Sequence, residues 1–341
     1  MNVTTRTVTT QTVTKRAVID DEADIRLDRW LRRHYPVLNQ AMIQKWCRTG
    51  QVRVDGARVG ADARLLAGQM VRIPPLPAPA DDEAPAERLP VDPRLAQEME
   101  RMVLYRDDQL LVLAKPPGLP SQGGPGISRH LDGMLEGLRA FGEHKPRLVH
   151  RLDRDTSGVI LVARTAGVAA KLAAAFRTRE VHKTYWAVVV GRPVPVEGRI
   201  EADLVRVDGF RGERTALAGP YDKEVTKSLT DFRTLDHAAR KLAWLELEPL
   251  TGRTHQLRVH CTSIEAPILG DATYGVEKDG RNSALIDGFP AQLHLHARRI
   301  QFPHPDGGTL AVEAELPAHM QATFKSLGFT APSLRPPLRV R

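Results

Sequence analysis

The sequence predicts an α+β protein, in which a small module of two helices and a sheet precedes a larger domain built on a mixed, largely antiparallel sheet. Three observations favour this class. Short strand patterns bounded by turn residues outnumber helical patterns. The helical patterns do not alternate regularly with the strands, as they would in a doubly wound sheet. A proline-rich segment separates the two parts.

The composition limits the class of protein and of partner. A chain of 341 residues has room for a large core and a smaller module. The formal net charge of +8 and the pI near 9.7 favour a polyanionic partner such as nucleic acid. No apolar run approaches the roughly 20 residues that cross a bilayer, so no membrane partner is expected. Cys47 and Cys261 are too few for a disulfide framework or a paired-cysteine metal site.

Both ends of the chain are predicted to be disordered tails. The first spans residues 1–24, and its first twenty residues hold seven threonines and no apolar segment, unlike a secretory signal. We therefore expect a cytoplasmic protein. The second tail spans residues 329–341 and is rich in proline and arginine.

Residues 25–73 follow the pattern of a compact module. Apolar residues recur at helical spacing over 27–31 and again over 42–47. An Asp55–Gly56 turn then indicates a hairpin, and a last strand is predicted over 70–73. The module therefore combines two helices with a small sheet.

The same module concentrates positive charge. It holds ten arginines and lysines against three aspartates, a net +7 that nearly equals the excess of the whole chain. A solvated helix face would also be charged, but this concentration favours a phosphate-binding surface. The candidate contacts are Arg26, Arg29, Arg32, Arg33, Lys45, Arg48 and Arg53.

Residues 74–97 include seven prolines and are predicted to form a semi-rigid linker. The larger domain is then predicted over residues 98–328. Its strands should follow the apolar β-branched runs, and Thr165 should cap a helix. We expect strands over 110–114, 158–163, 183–190 and 242–248, a helix over 168–176 and a closing hairpin over 300–315.

A dense polar segment, residues 147–157, comes directly before the apolar run 158–163. Carboxylates, guanidinium groups and hydroxyls are too crowded there for a buried strand, so a polar loop should lie at the mouth of a core strand. Enzymes often place chemistry in such loops because the scaffold fixes them. A salt-bridged surface turn is the alternative explanation.

The run His-Arg-Leu-Asp-Arg-Asp-Thr-Ser-Gly at 150–158 resembles the signature of the RluA-type pseudouridine synthases. Lys-Pro-Pro-Gly at 115–118 and Thr-Gly-Arg-Thr-His-Gln-Leu-Arg-Val-His at 251–260 resemble further motifs of that family. The resemblance spans roughly residues 25–320. Residues 25–73 are also similar to the RNA-binding module named after the fourth small-subunit ribosomal protein.

The resemblance implies an enzyme that isomerises uridine in RNA to pseudouridine, without a cofactor. Asp153 would be the catalytic carboxylate, acting on the sugar, on the base or as a general base. Arg151 would help extrude the target base, and Tyr185 would stack on it. Arg253 would pair with Asp153, and Thr254 would cap the following helix. Lys115 would only shape the pocket wall.

Among the members of that family, this chain resembles most the type C enzymes that act on large-subunit ribosomal RNA, and we expect a monomer. Another ribosomal site, a transfer RNA, or a non-catalytic RNA-binding role are the alternatives. Asp153 and Asp155 also suggest a glycosidase, although two residues apart they would lie on one side of a substrate. His255 and His260 do not share a helix face, so no metal site is expected.

Overall fold

The computed structural model describes residues 13–35, 38, 40–76, 91–124, 126–141, 145–209, 212–222, 224–239, 241–276 and 280–330. The chain forms two compact units, Met1–Leu89 and Pro90–Arg341. Residues 1–12, 77–90 and 331–341, which belong to the predicted tails and linker, lie outside the described residues. Within the described ranges, no helix combines the length and the apolar character that a bilayer crossing requires.

The first unit packs two helices against a three-stranded antiparallel sheet. Its elements are β1 Thr14–Ala17, a 3₁₀ helix Asp20–Glu22, α1 Leu27–His34, α2 Gln40–Arg48, β2 Arg53–Val54 and β3 Met70–Ile73. In the sheet, β3 lies between β1 and β2. Leu27, Trp30 and Ile43 from the helices pack with Val71 of β3 in one buried core. The helices and β3 lie where the apolar spacing predicts them.

The predicted tail over residues 1–24 is wrong for its second half. Residues 14–17 form β1, which pairs along the edge of β3. Val18 is buried in the core, and the Glu22 carboxylate is buried beneath α1. The short polar strand has no apolar alternation of its own, because most of its stabilisation comes from hydrogen bonds to a neighbouring strand.

The second unit is organised on one large mixed sheet. Its first elements are α3 Pro93–Glu100, β4 Val103–Arg106, β5 Leu110–Lys115, α4 Leu131–Met134, a 3₁₀ helix Leu135–Phe141, β6 Arg147–Leu148, β7 Ser157–Ala163, α5 Ala166–Arg177 and β8 His182–Val190. The remaining elements are β9 Glu197–Glu201, β10 Leu204–Gly209, β11 Gly212–Leu217, β12 Leu229–Ala238, β13 Leu242–Pro249, α6 Gln256–Ser263, β14 Leu295–Pro303, β15 Thr309–Glu313 and α7 Ala318–Leu327.

The strand order of the large sheet is β4-β5-β7-β14-β8-β13-β12-β9, with β15 on β14 and β6 on β7. All of these pairs are antiparallel except β7 with β14. Strands β10 and β11 form a separate hairpin. The predicted α+β class is therefore confirmed. Thr165 also caps α5 as predicted, since its side chain accepts a hydrogen bond from the Val168 amide.

Two predicted boundaries of the larger domain are wrong. Residues 93–97, predicted as linker, begin α3, because the Asp92 side chain caps it and Pro93 occupies its first turn. Phe329, predicted to open the second tail, is 8% exposed and packs against Trp244 and Phe324. An aromatic side chain that buries this much surface keeps its segment in the core.

The parallel pair β7–β14 brings two backbones unusually close at Gly158. Its φ of +111° lies in a region that residues with a side chain rarely adopt. A Cβ atom there would lie 2.2 Å from the Ala297 carbonyl oxygen. Glycine at this position therefore allows the polar loop before β7 to meet the centre of the sheet.

Candidate active site

The polar loop predicted from the sequence lines a large cleft of the second unit. The loop runs between β6 and β7, and the cleft encloses about 730 Å³. Strand β8 and the turn that follows β13 form the opposite wall. The side chains that matter here are Arg151, Asp153, Lys183, Tyr185, Arg253 and Thr254.

Buried hydrogen bonds from Lys115, at the end of β5, hold this loop in place. The Lys115 ammonium is 1% exposed and donates to the carbonyl oxygens of Pro116, Leu119 and Arg154 at 2.8–3.0 Å. Burial lowers the pKa of Lys115 to about 8, although the charges of Asp155 and Asp153 oppose this shift. With all three of its hydrogen bonds made to carbonyl groups, Lys115 acts as an anchor of the pocket wall.

A second anchor holds the residue before the aspartate. Ser121 Oγ donates to the Leu152 carbonyl oxygen at 2.6 Å and accepts from the Leu152 amide at 3.0 Å. The Thr156 amide donates to the Asp153 carbonyl oxygen, which closes a tight turn. The backbone of Asp153 is therefore held on both sides, and its side chain projects into the cleft.

The Asp153 carboxylate is half-buried and has no hydrogen-bond or ion-pair partner among the described residues. Tyr185 of β8 lines the same cleft. Burial raises the pKa of Tyr185, and the charge of Asp153 raises it further. The Tyr185 phenol is therefore neutral across the physiological range, beside a carboxylate that is free to meet a ligand.

The predicted pair between Arg253 and Asp153 is not formed. Arg253 is exposed on the turn before α6, where its Nε donates to the Lys227 carbonyl oxygen at 3.4 Å. The predicted helix cap is also wrong. The residue before α6 is His255, with a φ of +53°, and Thr254 makes no capping bond.

The buried arginine of this segment is Arg258, on the first turn of α6. It is 6% exposed and forms a bidentate ion pair with Asp271, with N···O distances of 2.7 and 2.8 Å. Its guanidinium carbon lies 4.8 Å from the centre of the Tyr274 ring. Burial opposes the charge of Arg258, but the hydrogen bonds and charge of Asp271 raise its pKa, and Asp153 adds to that rise.

The sequence carries only a partial signal for Arg258, namely its apolar neighbours. It stands between Leu257 and Val259 in a helix whose residues are nearly all buried, and a charged group there requires a buried partner. Asp271, in the Gly-Asp pair that follows a turn, is 1% exposed. Lys183 is a second cleft residue that the sequence did not single out, and burial lowers its pKa to about 8.

Arg151, predicted to act on the target base, reaches across the mouth of the cleft. Its Nη2 donates to Thr254 Oγ1 at 2.8 Å, although the two residues are 103 positions apart. Arg151 is otherwise exposed. The guanidinium therefore lies at the entrance of the cleft, where an incoming strand would contact it.

The structure gives no support to the metal and glycosidase alternatives. His255 Nδ1 lies 2.8 Å from the Tyr274 hydroxyl, whereas His260 bonds with Ser228 and Thr230 in the core. Within the described residues, no three acidic, histidine or cysteine side chains are grouped for a metal ion. Asp155 does not line the cleft; its carboxylate is exposed and lies 3.7 Å from Arg154.

In the first unit, the candidate phosphate contacts differ in their partners. Arg26 is neutralised by a bidentate pair with Asp28, at 2.9 and 3.2 Å, which makes it the weakest candidate. The side chain of Arg53 is half-buried on β2. The other candidates are exposed on the two helices: Arg29, Arg32, Arg33, Lys45 and Arg48.

Comparison with known proteins agrees with this geometry. Residues 109–263 match the family described as RNA pseudouridylate synthase. A "Ribosomal large subunit pseudouridine synthase C" from Vibrio cholerae is 36% identical over 316 residues, covering 90% of this chain and 95% of that protein. The protein of the same name from Escherichia coli K12 is 35% identical over 315 residues, covering 91% and 95%.

A solved structure, "Human RNA Pseudouridylate Synthase Domain Containing 4", aligns with a TM-score of 0.59 at 28% identity, covering 70% of this chain and 98% of that one. The fold and the cleft define an RNA-modifying isomerase of the pseudouridine synthase class. This chain belongs to the RNA pseudouridylate synthase family.

Proposed function

We propose that this protein isomerises specific uridines of large-subunit ribosomal RNA to pseudouridine, with Asp153 as the catalytic carboxylate. The proposal rests mainly on one observation: Asp153 stands without a partner in a cleft whose loop carries the family motif. The names and coverage of the relatives from Vibrio cholerae and Escherichia coli support the ribosomal substrate. A cytoplasmic monomer is part of the same proposal.

The chemistry requires little beyond positioning and one carboxylate. The bond from C1′ of the ribose to N1 of uracil breaks, the base turns, and C1′ bonds to C5. The C5 hydrogen leaves as a proton and N1 gains one, so there is no net redox change and no cofactor is needed. Asp153 can attack the sugar, attack the base, or remove a ribose proton, and all three routes use a free carboxylate.

The surrounding side chains would prepare the nucleotide for that reaction. A uridine in a folded RNA must leave its stack before Asp153 can reach it. Arg151, released from Thr254, would fill the vacated space, and the neutral Tyr185 ring would stack on the uracil. Arg258, rather than Arg253, would orient the Asp153 carboxylate by its charge.

The decisive experiment compares Asp153→Asn with Asp155→Asn. Both changes remove one carboxylate from the same loop, but only Asp153 lines the cleft. We expect Asp153→Asn to abolish pseudouridine formation on a purified ribosomal RNA fragment while RNA binding stays within a few-fold, and Asp155→Asn to remain active. Activity of Asp153→Asn near that of the wild type would remove the catalytic assignment.

The target is identified by mapping pseudouridine in total RNA from cells that carry the wild type, the Asp153→Asn protein or no copy. We expect specific large-subunit positions to be lost together in the last two. Loss from transfer RNA, with ribosomal RNA unchanged, would instead assign the alternative substrate.

A further inference from the structure

The first unit carries a cation row, which we define as Lys15, Arg72 and Arg53. Lys15 on β1 and Arg53 on β2 both lie directly opposite Arg72 on the central strand β3. Residues that are directly opposite in an antiparallel sheet project from the same face. Val71, the neighbour of Arg72, is buried in the core, so the cation row lies on the outer face. With strands about 4.8 Å apart, the row spans about 10 Å.

Backbone carbonyl groups hold the two arginines of the cation row in place. Arg53 donates from Nε to Gly50 and from Nη1 to Gly56, at 3.2 and 2.9 Å. Arg72 Nη1 donates to the Gln51 carbonyl oxygen at 2.8 Å. Each guanidinium is thereby oriented, while its other N–H groups stay available for a bidentate acceptor such as a phosphate group.

The charge of the cation row is not neutralised. Within the described ranges, none of its three side chains forms an ion pair. Other arginines of the same unit do have one: Arg26 pairs with Asp28, and Arg64 pairs with Asp24. Three unneutralised positive charges of the sheet are thus arranged in a line across its outer face, while Arg16 of β1 belongs to the other face.

The segment that delivers Lys15 is fixed by buried contacts. Trp30 Nε1 donates to Glu22 Oε2 at 2.6 Å, and His34 Nε2 lies 2.6 Å from Glu22 Oε1. Val18, between β1 and Glu22, is 2% exposed. β1 is therefore part of the folded unit, and its pairing with β3 holds Lys15 opposite Arg72.

We propose that the outer face of this sheet is an RNA-binding site, in which the cation row contacts successive phosphates of one single-stranded segment. A line of oriented, unneutralised cations fits a chain of phosphates better than one free anion. Met70, 40% exposed on the same face beside Arg72, adds an apolar surface for a ribose or base. This proposal rests on the proposed function, and it makes β1 part of substrate binding.

The chain offers a matched control, because Arg16 adjoins Lys15 on β1 but lies opposite Val71 and so belongs to the other face. Lys15→Gln and Arg16→Gln each remove one exposed positive charge from the same strand. Binding of the full-length proteins to a fluorescein-labelled oligouridylate is measured at several KCl concentrations. We expect Lys15→Gln to reduce the slope of log K against log salt by about 0.7, the value for one phosphate contact on a single strand.

Arg16→Gln should leave the slope unchanged, Lys15→Arg should restore it, and Lys15→Gln with Arg53→Gln and Arg72→Gln should reduce it by about 2. Equal slopes for Lys15→Gln and Arg16→Gln would overturn the site. Circular dichroism melts verify that each variant is folded. Pseudouridine formation is assayed separately, so that a wild type without activity would refute the proposed function while the salt slopes still decide the binding site.

Discussion

A buried guanidinium requires a fixed anion, and Arg258 has one in Asp271. Both side chains are almost fully buried, and Asp271 also accepts from the amides of Thr273 and Tyr274. Burial opposes the charge of Asp271, but the ion pair and these amides hold its pKa below the ordinary range. One of the positive charges that act on Asp153 is therefore held in place by a rigid ion pair, whereas the exposed Arg253 forms no ion pair with Asp153.

We predict that replacing Arg258 lowers stability and activity, whereas replacing Arg253 leaves stability nearly unchanged. Arg258→Met strands the buried Asp271 charge and should cost about 3–5 kcal/mol of stability, besides slowing pseudouridine formation. Arg258→Lys keeps the charge but loses the bidentate hydrogen bonds, so its stability and rate should lie between those of the wild type and of Arg258→Met. Arg253→Met should stay within about 0.5 kcal/mol of the wild type. Thermal melts and single-turnover rates measure both effects.

The wild type, lysine and methionine at position 258 should rank in that order in rate and in melting temperature. If Arg253→Met were instead the slower and less stable protein, the pairing predicted from the sequence would be right and Arg258 would have only a structural role.

Among the elements, β7 depends on Gly158. A methyl group there meets the backbone of β14, which cannot move without disturbing the centre of the sheet, and the φ of +111° adds strain. Gly158→Ala should therefore destabilise the protein by several kcal/mol, at the upper end of single substitutions.

Gly307→Ala is the matched control for Gly158→Ala. Gly307 has a similar φ of +105°, but nothing lies within 4 Å of the position of its added Cβ. Gly307→Ala should therefore lower the stability by only about 1 kcal/mol, which is the backbone conformational cost of replacing glycine. Urea unfolding of both variants measures the difference, and equal losses would show that strain at φ, rather than contact with Ala297, makes glycine necessary at 158.

The elements also show what local pattern can predict. The strands β5, β7, β8 and β13 follow apolar runs whose side chains are buried, so their own sequences specify them. β1 lacks such a run, and only the free edge of β3 makes it a strand. The pairing of β7 with β14 is equally invisible in sequence, because it joins segments more than a hundred residues apart.

At the scale of the whole molecule, the sequence could predict individual residues of the candidate site but not which charged residues pair with one another. Asp153 and Tyr185 do share a cleft, as the resemblance implied. Arg253 was predicted to pair with Asp153 because it lies in the turn of a family motif. That turn is exposed, and the buried arginine is Arg258, on the helix that follows. Which of two nearby arginines is buried depends on tertiary packing, which sequence spacing does not contain.

The whole molecule should also lose stability in mild acid. His260, His294 and His296 are buried, and burial lowers the pKa of each to about 4. In the unfolded chain these groups have pKa values of about 6.5, so below that pH the unfolded state binds more protons. Stability is complete above about pH 6.5 and falls as the pH drops towards 4, by on the order of 3 kcal/mol for each histidine.

Thermal melts between pH 7 and 5 test this dependence, because ordinary carboxylates stay ionised over most of that range. His294→Gln removes one of the three groups and should flatten the dependence, even though its lost bond to Thr323 lowers stability at pH 7. A melting temperature that does not change from pH 7 to 5 would contradict the burial of neutral imidazoles.

The position of β14 determines when, during synthesis of the chain, the cleft can assemble. The strand fills the centre of the large sheet, between β7 and β8, yet among the described strands only β15 follows it in the chain. At 5–20 residues per second, residues 191–294 take roughly 5–20 s to synthesise. Until β14 arrives, α5 links β7 to β8 along the chain, but the strand that hydrogen-bonds to both of them in the described sheet is missing. A nascent chain therefore holds both walls of the cleft without the cleft itself, and RNA near the ribosome meets an assembled site only after β14 has been synthesised.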